Sequence, residues 1–532
     1  MTFTGTLRPY QEDAVDFMVR KRKVLVAFDM GTGKTPMTIA AIEALRDDHS
    51  DDGLRDGHLT MVVCLSSLKY QWQKEIAKFS DSTSIVIDGT KAQRAEQYAQ
   101  ANDYDYVIVN YEQVVNDWDQ FLQMRLGAMV LDEATAVKSF RAKRTKRAKD
   151  LSRLVDVRYA LTGTPIENGK PEELYSIMNV VNYKVLGARF DLFDRTFIVR
   201  DRWGGVDRYR NLDRLHERLK TCSVRKAQTD PDVAPFLPDE IVRDPIVVPL
   251  DRAGAVVYRN ISGLLLEDLD EVLESFGSTF SLEAHYGVAN APFNGAEMAI
   301  RGRLMSKITA LRMLCDHPAL LVTSASKWNP MVADEGSKFL SDLLEDEPDL
   351  KDMLNRAKAP KLDMLVTVVK DHLAAEDVNK IVVFTSYVDM AHWIHDMVGG
   401  VVYTGKMNAK QKEAAKEKFQ TDPDCRVFIS TDAGGYGVDL PQANMLVNYD
   451  MPWSSGLAVQ RNARIKRVSS PWPSIVIQDL LTADSTEIHY HRVLRQKNSI
   501  ADAIIDGRGI NAKGGVDLTV GALAAFLRET QP

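Results

Sequence analysis

Short apolar runs alternate with amphipathic stretches along the first third of the chain. KVLVAFDM (23–30), TMVVCL (60–65), DYVIVN (105–110), AMVLDE (128–133) and RYALTG (158–163) are β-branched, short and bounded by turn residues, which predicts buried strands. KTPMTIAAIEALR (34–46) and SLKYQWQKEIAKF (67–79) lie between them and read as helices. Apolar strands alternating with helices predict a parallel sheet covered on both faces. The pattern breaks at residues 168–230, which are charged, aromatic and mostly helical in character. PDVAPFLPDE (231–240), with three prolines, predicts an extended linker. Residues 251–360 are again mainly helical, with a polar interruption at 276–297. Alternation then returns in KIVVFTSY (380–387), GVVYTG (400–405), RVFIST (426–431), MLVNYD (445–450) and SIVIQDLL (474–481). The fold class expected is α/β, with two parallel-sheet lobes, helical material between them, and a Gly-rich tether and small amphipathic helix at the end.

Composition narrows the function classes only slightly. The chain has 532 residues, 45% hydrophobic and 27% charged, as an ordinary globular protein has. Its net charge of −7 means that any nucleic-acid surface must be a local basic patch on an acidic body. Cys64, Cys222, Cys315 and Cys425 form no CxxC pair, so reduced, buried thiols are expected rather than a zinc ribbon or redox pair. No signal-peptide pattern opens the chain and no apolar run approaches membrane-spanning length, which predicts a cytoplasmic protein with no membrane partner.

AFDMGTGKT (27–35) joins the first strand to the first sheet-covering helix. Gly31 and Gly33 let the backbone curl so that its N–H groups face an anion, and the helix N-terminus adds its dipole. Within Met30, Gly31, Thr32, Gly33, Lys34 and Thr35, Lys34 would reach the β- and γ-phosphates of ATP and the Thr35 hydroxyl would ligate Mg²⁺. Phe28 stands where the general GxxxxGK[ST] pattern has its first glycine. Asp132 and Glu133 end the strand AMVLDE, and strand C-termini line the ligand crevice of a parallel sheet. Asp132 would hold the metal and Glu133 would orient and deprotonate the attacking water. In QRNARIKRV (460–468), Gln460, Arg464 and Arg467 stand at i, i+4 and i+7, one face of a helix.

From Leu7 to about Glu487 the chain resembles the superfamily-two helicases and translocases, and most closely the Swi/Snf-type DNA-dependent ATPases. The motifs run in the family order: LRPYQEDAV (7–15), AFDMGTGKT, CLSSLKYQW (64–72), VIVNYEQV (107–114), LDEA, LTGTPIEN (161–168), VRK (224–226) with FLPDE, ALRMLCDHPALL (310–321), VVFTSYVDM (382–390), YTGKM (403–407), ISTDAGGYGVDLPQANMLVNYD (429–450), QRNARIKRV and TADSTEIHYHRV (482–493). The resemblance implies two RecA-like lobes with ATP in the cleft between them. It implies that Gln11 reads the adenine edge and that Gly437 and Asp439 lie near the nucleotide. Gln460, Arg464 and Arg467 would meet ATP from the second lobe. Ser67, Asn110, Thr385, Ser430 and Thr431 would contact the DNA backbone. Thr162, Gly163 and Thr164 would couple hydrolysis to DNA, together with Thr135, which stands where the family has His or Gln. The expected lobes are 1–235, with a helical insert at about 168–230, and 361–500. A linker at 236–250, a second insert at 251–360 and a tail at 501–532 complete the division.

The function implied is ATP-driven translocation along duplex DNA by a monomeric motor of the compact bacterial or viral type. The alternatives are a strand-separating helicase on DNA or RNA and a DNA-binding clamp that does not hydrolyse. No wedge hairpin or accessory unwinding domain is evident in the sequence, and the intact Lys34, Asp132, Glu133, Arg464 and Arg467 speak against the clamp. Two features stay apart from this scheme. The basic run Lys138–Lys149 reads either as a solvated helix covering the sheet edge or as a phosphate contact. HYH (489–491) reads as surface residues, and Trp453 and Trp472 as packing residues.

Overall fold

The computed structural model describes residues 3–48, 53–54, 59–166, 170–200, 206–277, 295–329, 335–435, 438–494 and 519–530. The first lobe is built from β1 (Lys23–Phe28), β2 (Leu59–Cys64), β3 (Ser84–Val86), β4 (Tyr106–Asn110), β5 (Leu126–Asp132) and β6 (Val157–Leu161). Its helical insert carries an antiparallel hairpin of β7 (Ile198–Arg200) and β8 (Val206–Tyr209), and β9 (Ser223–Lys226) returns to the sheet edge. The order is β3-β4-β2-β5-β6-β1-β9, with all pairs parallel. β2 is buried at every residue and β1 at all but Lys23, as strands covered on both faces must be. This crossover order places the end of β1 near the ends of β5 and β6.

The second lobe contains β10 (Asp239–Val242), β11 (Ile246–Val248), β12 (Ile381–Thr385), β13 (Val401–Tyr403), β14 (Val427–Thr431), β15 (Met445–Asn448) and β16 (Ser474–Thr482). Its order is β10-β16-β15-β12-β14-β13, and β11 also pairs with β16. Every strand expected from an apolar run is present. The expected linker differs, because β10 and β11 complete the second sheet alongside β16. The proline-rich segment before them is not extended: it turns at 231–233 and forms the short 3-10 helix Ala234–Phe236, and the chain becomes extended only where β10 meets the open edge of β16. Strands β3 and β9 are short edge strands with little apolar signal. The hairpin is a further difference, but its start is no free wedge: Ile198 and the adjacent Phe197 are buried in the first-lobe core.

The second helical insert packs Arg252–Phe276 against Gly295–Asp316, and the C-terminal helix Val520–Thr530 closes over the former. Part of the polar interruption, 278–294, and much of the tail lie outside the described residues. HYH is not at the surface. His489 is buried beside Phe526, 5.1 Å between ring centres, and burial pushes its pKa down to about 4. The cause is the C-terminal helix, whose return over this segment could not be read from local spacing. Trp453 and Trp472 pack as expected, Trp453 under Arg312 and Trp472 with its indole N–H on the Gln442 carbonyl. All four cysteines are free and buried. Among the described residues no helix is long and apolar enough to cross a membrane.

A buried ion cluster ties the second insert to its lobe. Lys361 Nζ donates to Asp316 at 3.0 Å and to Glu487 at 2.7 and 2.9 Å, and all three side chains are almost wholly buried. Glu487 also accepts the Thr482 N–H, and the Tyr449 hydroxyl donates to the Asp316 carbonyl. Lys361→Met leaves two buried carboxylates without their cation. We expect it to destabilise the second lobe by about 3–5 kcal/mol, read as a lowered urea midpoint.

Candidate functional site

The phosphate loop is fixed by what its carbonyl groups do. Lys34 Nζ donates to the carbonyls of Phe28 (2.8 Å) and Asp29 (3.1 Å), and the Thr32 hydroxyl donates to Asp29 O at 2.7 Å. Gln228 donates to Met30 O at 2.8 Å. Tyr10 and Gln11, both on the helix Pro9–Lys21, donate to Thr32 O at 3.0 and 2.9 Å. Arg225 on β9 donates to Ala27 O at 2.9 Å and pairs with Asp29 at 2.5 Å. The helix Lys34–Asp47 has no side-chain cap at its N-terminus, so its first N–H groups remain for an anion. Gly31 and Gly33 have φ of +77° and +85°. Such angles favour glycine, and a Cβ at Gly33, 2.3 Å from Gln11 Nε2, would push that amide off the loop.

Asp132 is held from two sides. Its Oδ2 accepts the Trp72 indole N–H at 2.8 Å, its Oδ1 accepts the Glu133 N–H at 3.0 Å, and its carbonyl accepts the Tyr111 hydroxyl at 2.7 Å. Burial, with the Glu133 charge beside it, raises its pKa to about 6, and the Trp72 bond opposes that rise. Burial also lowers the pKa of Lys34, against the opposing pull of Glu133. Glu133 has φ +48°, a left-handed conformation that costs about 1 kcal/mol or more and turns the chain sharply out of β5. Its Oε2 is buried without a partner.

A cavity of about 440 Å³ between the lobes brings these groups together. Gln11, Met30, Gly31, Gly33, Lys34, Thr35, Asp132 and Glu133 line it from the first lobe, and Asp439, Arg464 and Arg467 from the second. The lobes meet at the loop itself: a Cβ on Gly31 would stand 2.6 Å from the Lys466 carbonyl and 3.0 Å from Arg467 Cδ. Arg467 pairs with Asp439, and its Nε is buried without a partner. Lys74 and Glu413 bridge the lobes at 2.9 Å nearby.

Several expected placements change. Gln460, Arg464 and Arg467 do not share a helical face, because the helix Ser455–Asn462 ends before the arginines. Arg461 is buried on Asp432 and Asp450, and the Arg464 carbonyl accepts the Leu440 N–H, which bends the chain away from the helix axis. Both arginines still line the cavity, while Gln460 is buried with an unpartnered Oε1. The Gln11 carboxamide is engaged at both ends, by Thr32 O and the Arg8 N–H, so it braces the loop. Thr385, Ser430 and Thr431 lie at the ends of β12 and β14, buried and hydrogen-bonded to Asp450, to the Thr431 carbonyl and to the Gly434 N–H respectively. Ser67 is exposed just after β2. Asn110 ends β4 and caps the following helix by accepting the Gln113 N–H at 2.8 Å. Gly437 lies outside the described residues. Thr162 accepts the Thr164 N–H, and a Cβ on Gly163 would stand 2.9 Å from Met30 Cγ, so this segment touches the phosphate loop directly. Thr135 lies half-buried in the short turn Ala134–Val137. Sequence reading missed the supporting roles of Tyr10, Trp72, Tyr111, Arg225 and Gln228. A buried indole or phenol needs a polar partner, which was the available signal for the aromatic three.

The site fits ATP and Mg²⁺. At the cavity wall, Glu133 Oε2 and Arg467 Nε are buried polar atoms lacking partners, and the glycine loop leaves space that a side chain would fill. Among the described residues no group of three or more His, Cys, Asp or Glu side chains could hold a metal. Thr35 and Asp132 both line the cavity, and Mg²⁺ takes one or two carboxylates plus substrate phosphates.

A glycine phosphate loop, a carboxylate pair on a neighbouring strand and arginines from a second parallel-sheet lobe define a two-lobed phosphate-loop nucleotide-binding protein. The chain belongs to the SNF2-related family: the SNF2-related domain matches residues 10–320, and the helicase conserved C-terminal domain matches 360–469. It is 23% identical over 517 residues to the putative ATP-dependent helicase/translocase YwqA of Bacillus subtilis, covering 95% of this chain and 49% of that protein. It is 23% identical over 531 residues to the human DNA repair and recombination protein RAD54B, covering 94% of this chain and 55% of that one. The chain thus spans about half the length of these relatives. The helicase domain of Pyrococcus furiosus Hef shares the fold, with a TM-score of 0.50 at 16% identity over 93% of this chain and all of that one.

Trp72→Phe removes the indole donor with little change in bulk. Because that bond favours the charged carboxylate, its loss raises the Asp132 pKa further. A charge-assisted bond of about 1.5 kcal/mol corresponds to about one pH unit. The acid limb of ATP turnover is expected to move up by that amount in a pH–rate profile.

Proposed function

We propose that this chain hydrolyses ATP in the interlobe cleft and uses the turnover to move along duplex DNA without obligatory strand separation. The observation that carries the reading is the convergence of Lys34, Thr35, Asp132, Glu133, Arg464 and Arg467 on one cavity. Lys34 exchanges its carbonyl partners for phosphate oxygens, which relieves the cost of a buried ammonium. Thr35 and Asp132 would hold Mg²⁺, which would neutralise charge on the phosphates. Glu133 offers its unpartnered oxygen to the proton of the attacking water. Arg464 and Arg467 stabilise charge on the γ-phosphate, a role worth about 10³–10⁵ in rate elsewhere. Asp439 holds Arg467 beside the loop until nucleotide competes for it. Adenine reading by Gln11 comes at the expense of its bond to the Arg8 N–H.

Movement follows if cleft closure shifts the lobes' two DNA grips. Ser67 and Asn110 stand at one grip; at the other, the buried Thr385, Ser430 and Thr431 support the strand ends that face DNA. Thr162, Gly163 and Thr164 couple the grips to the loop through Met30, and Thr135 is assigned to the same coupling. We assign residues 1–235 and 361–500 to the motor lobes, 236–250 to a connection whose two short strands join the second sheet, 251–360 to the second insert and 501–532 to the tail, acting as a monomer. The names of the relatives support a helicase or translocase and a DNA setting. Strand separation is less well supported, because the hairpin is anchored in the first-lobe core.

ATP turnover measured without nucleic acid and with single-stranded DNA, duplex DNA or RNA tests the substrate. Duplex DNA is expected to stimulate most, and a duplex without effect would remove it as the track. Glu133→Gln is expected to retain nucleotide in a fluorescence binding assay while turnover falls by about 10²-fold or more. Undiminished turnover would take Glu133 out of its assigned role.

A further inference from the structure

Residues 138–153 carry eight basic side chains and one acid, Asp150, on a chain whose net charge is −7. The structure gives them a direction that the sequence did not. The helix Lys143–Ser152 buries Thr145, Ala148, Leu151 and Ser152, leaving Arg141, Lys143, Arg144 and Lys146 exposed. Asp150 lies 3.9 Å from Arg147 and 3.6 Å from Arg153, in the C-terminal half. Among the described residues no acid pairs with Arg141, Lys143, Arg144 or Lys146. Arg141 lies 5.6 Å over Phe140, whose ring stacks on Phe190 at 4.7 Å, so this guanidinium is already partly ordered.

The position of the patch matters as much as its charge. The helix packs against Tyr111–Asn116, which begins at Asn110, and the Arg144 charge reaches Tyr111. The exposed cations therefore stand at the same edge of the first sheet as Asn110, the strand C-terminal edge. Their arrangement is also unfavourable for the isolated protein. The helix has no side-chain cap and no acid in its first turn, yet it begins with cations where the peptide dipoles favour anions. Phosphates brought to this face relieve both the dipole conflict and the mutual repulsion.

We propose that Arg141, Lys143, Arg144 and Lys146 form a second duplex-phosphate contact on the first lobe, beside the cleft track, that governs how long the motor stays on DNA. The proposal rests on the reading of this chain as a DNA motor. The patch offers charged donors only, with no Asn or Gln to read base edges, so its binding is independent of sequence. Its loss weakens attachment and leaves the ATP site, which lies elsewhere, unchanged.

The test measures duplex affinity by fluorescence anisotropy across about 50–200 mM salt, with turnover measured in parallel. Each phosphate contact contributes about 0.9 to the slope of log K against log salt. K143Q/R144Q/K146Q is expected to lower that slope by about 2–3 and weaken binding about ten-fold or more. Turnover without DNA and at saturating duplex should match the parent. The charge-preserving K143R/R144K/K146R should keep the parental slope, and K146Q alone, the mildest change, should lose about one contact's worth. A parent-like slope and affinity in the Gln variants would overturn the proposal and leave this face to an acidic protein surface. If the parent itself neither binds duplex DNA nor responds to it, the motor reading falls and takes this contact with it.

Discussion

A phosphate loop can present N–H groups to an anion only if its carbonyls are turned away and satisfied elsewhere. Here the carbonyls of Ala27, Phe28, Asp29, Met30 and Thr32 accept bonds from Arg225, Lys34, Thr32, Gln228, Tyr10 and Gln11. The donors come from the first helix, from the loop itself and from β9 and the residues after it, segments roughly 200 positions apart in the chain. That requirement explains why the first sheet must be closed at its edge by β9 and overlaid by Pro9–Lys21. Without either, part of the loop would lose the partners that hold its carbonyls outward.

The second lobe meets a matching requirement by different means. It must offer Arg464 and Arg467 to the cleft from a segment that is not helical, so the rigidity comes from buried charge. Arg461 is held by Asp432 and Asp450, while Asp450 also takes the Thr385 and Ser386 hydroxyls. One carboxylate therefore joins the end of β12, the end of β15 and the arginine segment. Such a network gains little net stability over apolar packing, but it allows few alternative arrangements. Asp439 adds a contact to Arg467 at the cavity wall, which Arg464 also lines.

The sheet and the reacting groups were legible because their signals are local. A β-branched run flanked by turn residues specifies a buried strand, and a glycine loop between strand and helix specifies a phosphate site. Edge strands β3, β9, β10 and β11 escaped because each is only three or four residues long, too short to show a period. The shared face for Gln460, Arg464 and Arg467 assumed that a helical spacing implies a helix, whereas Arg461, lying between them in sequence, is pulled inward by two distant acids. His489 was misplaced because the helix that buries it lies some 30 residues further on, after the Gly-rich tether. In each case the missing information was a partner distant in sequence, which no periodicity encodes.

The indole of Trp72 joins two parts of the protein that do different work. It lies five residues beyond Ser67, in the helix Lys69–Phe79 that directly follows the short turn Ser66–Leu68, and its N–H ends on the Asp132 carboxylate at 2.8 Å. Hydrogen bonds weaken steeply with stretching and tilt. A small slide of that helix therefore changes the basicity of the carboxylate with no large rearrangement between them. The helix stands as a lever arm between the turn at Ser67 and the carboxylate, with a single hydrogen bond at its short end. A displacement of the chain at Ser67 would thereby be registered as proton affinity at the floor of the nucleotide cleft.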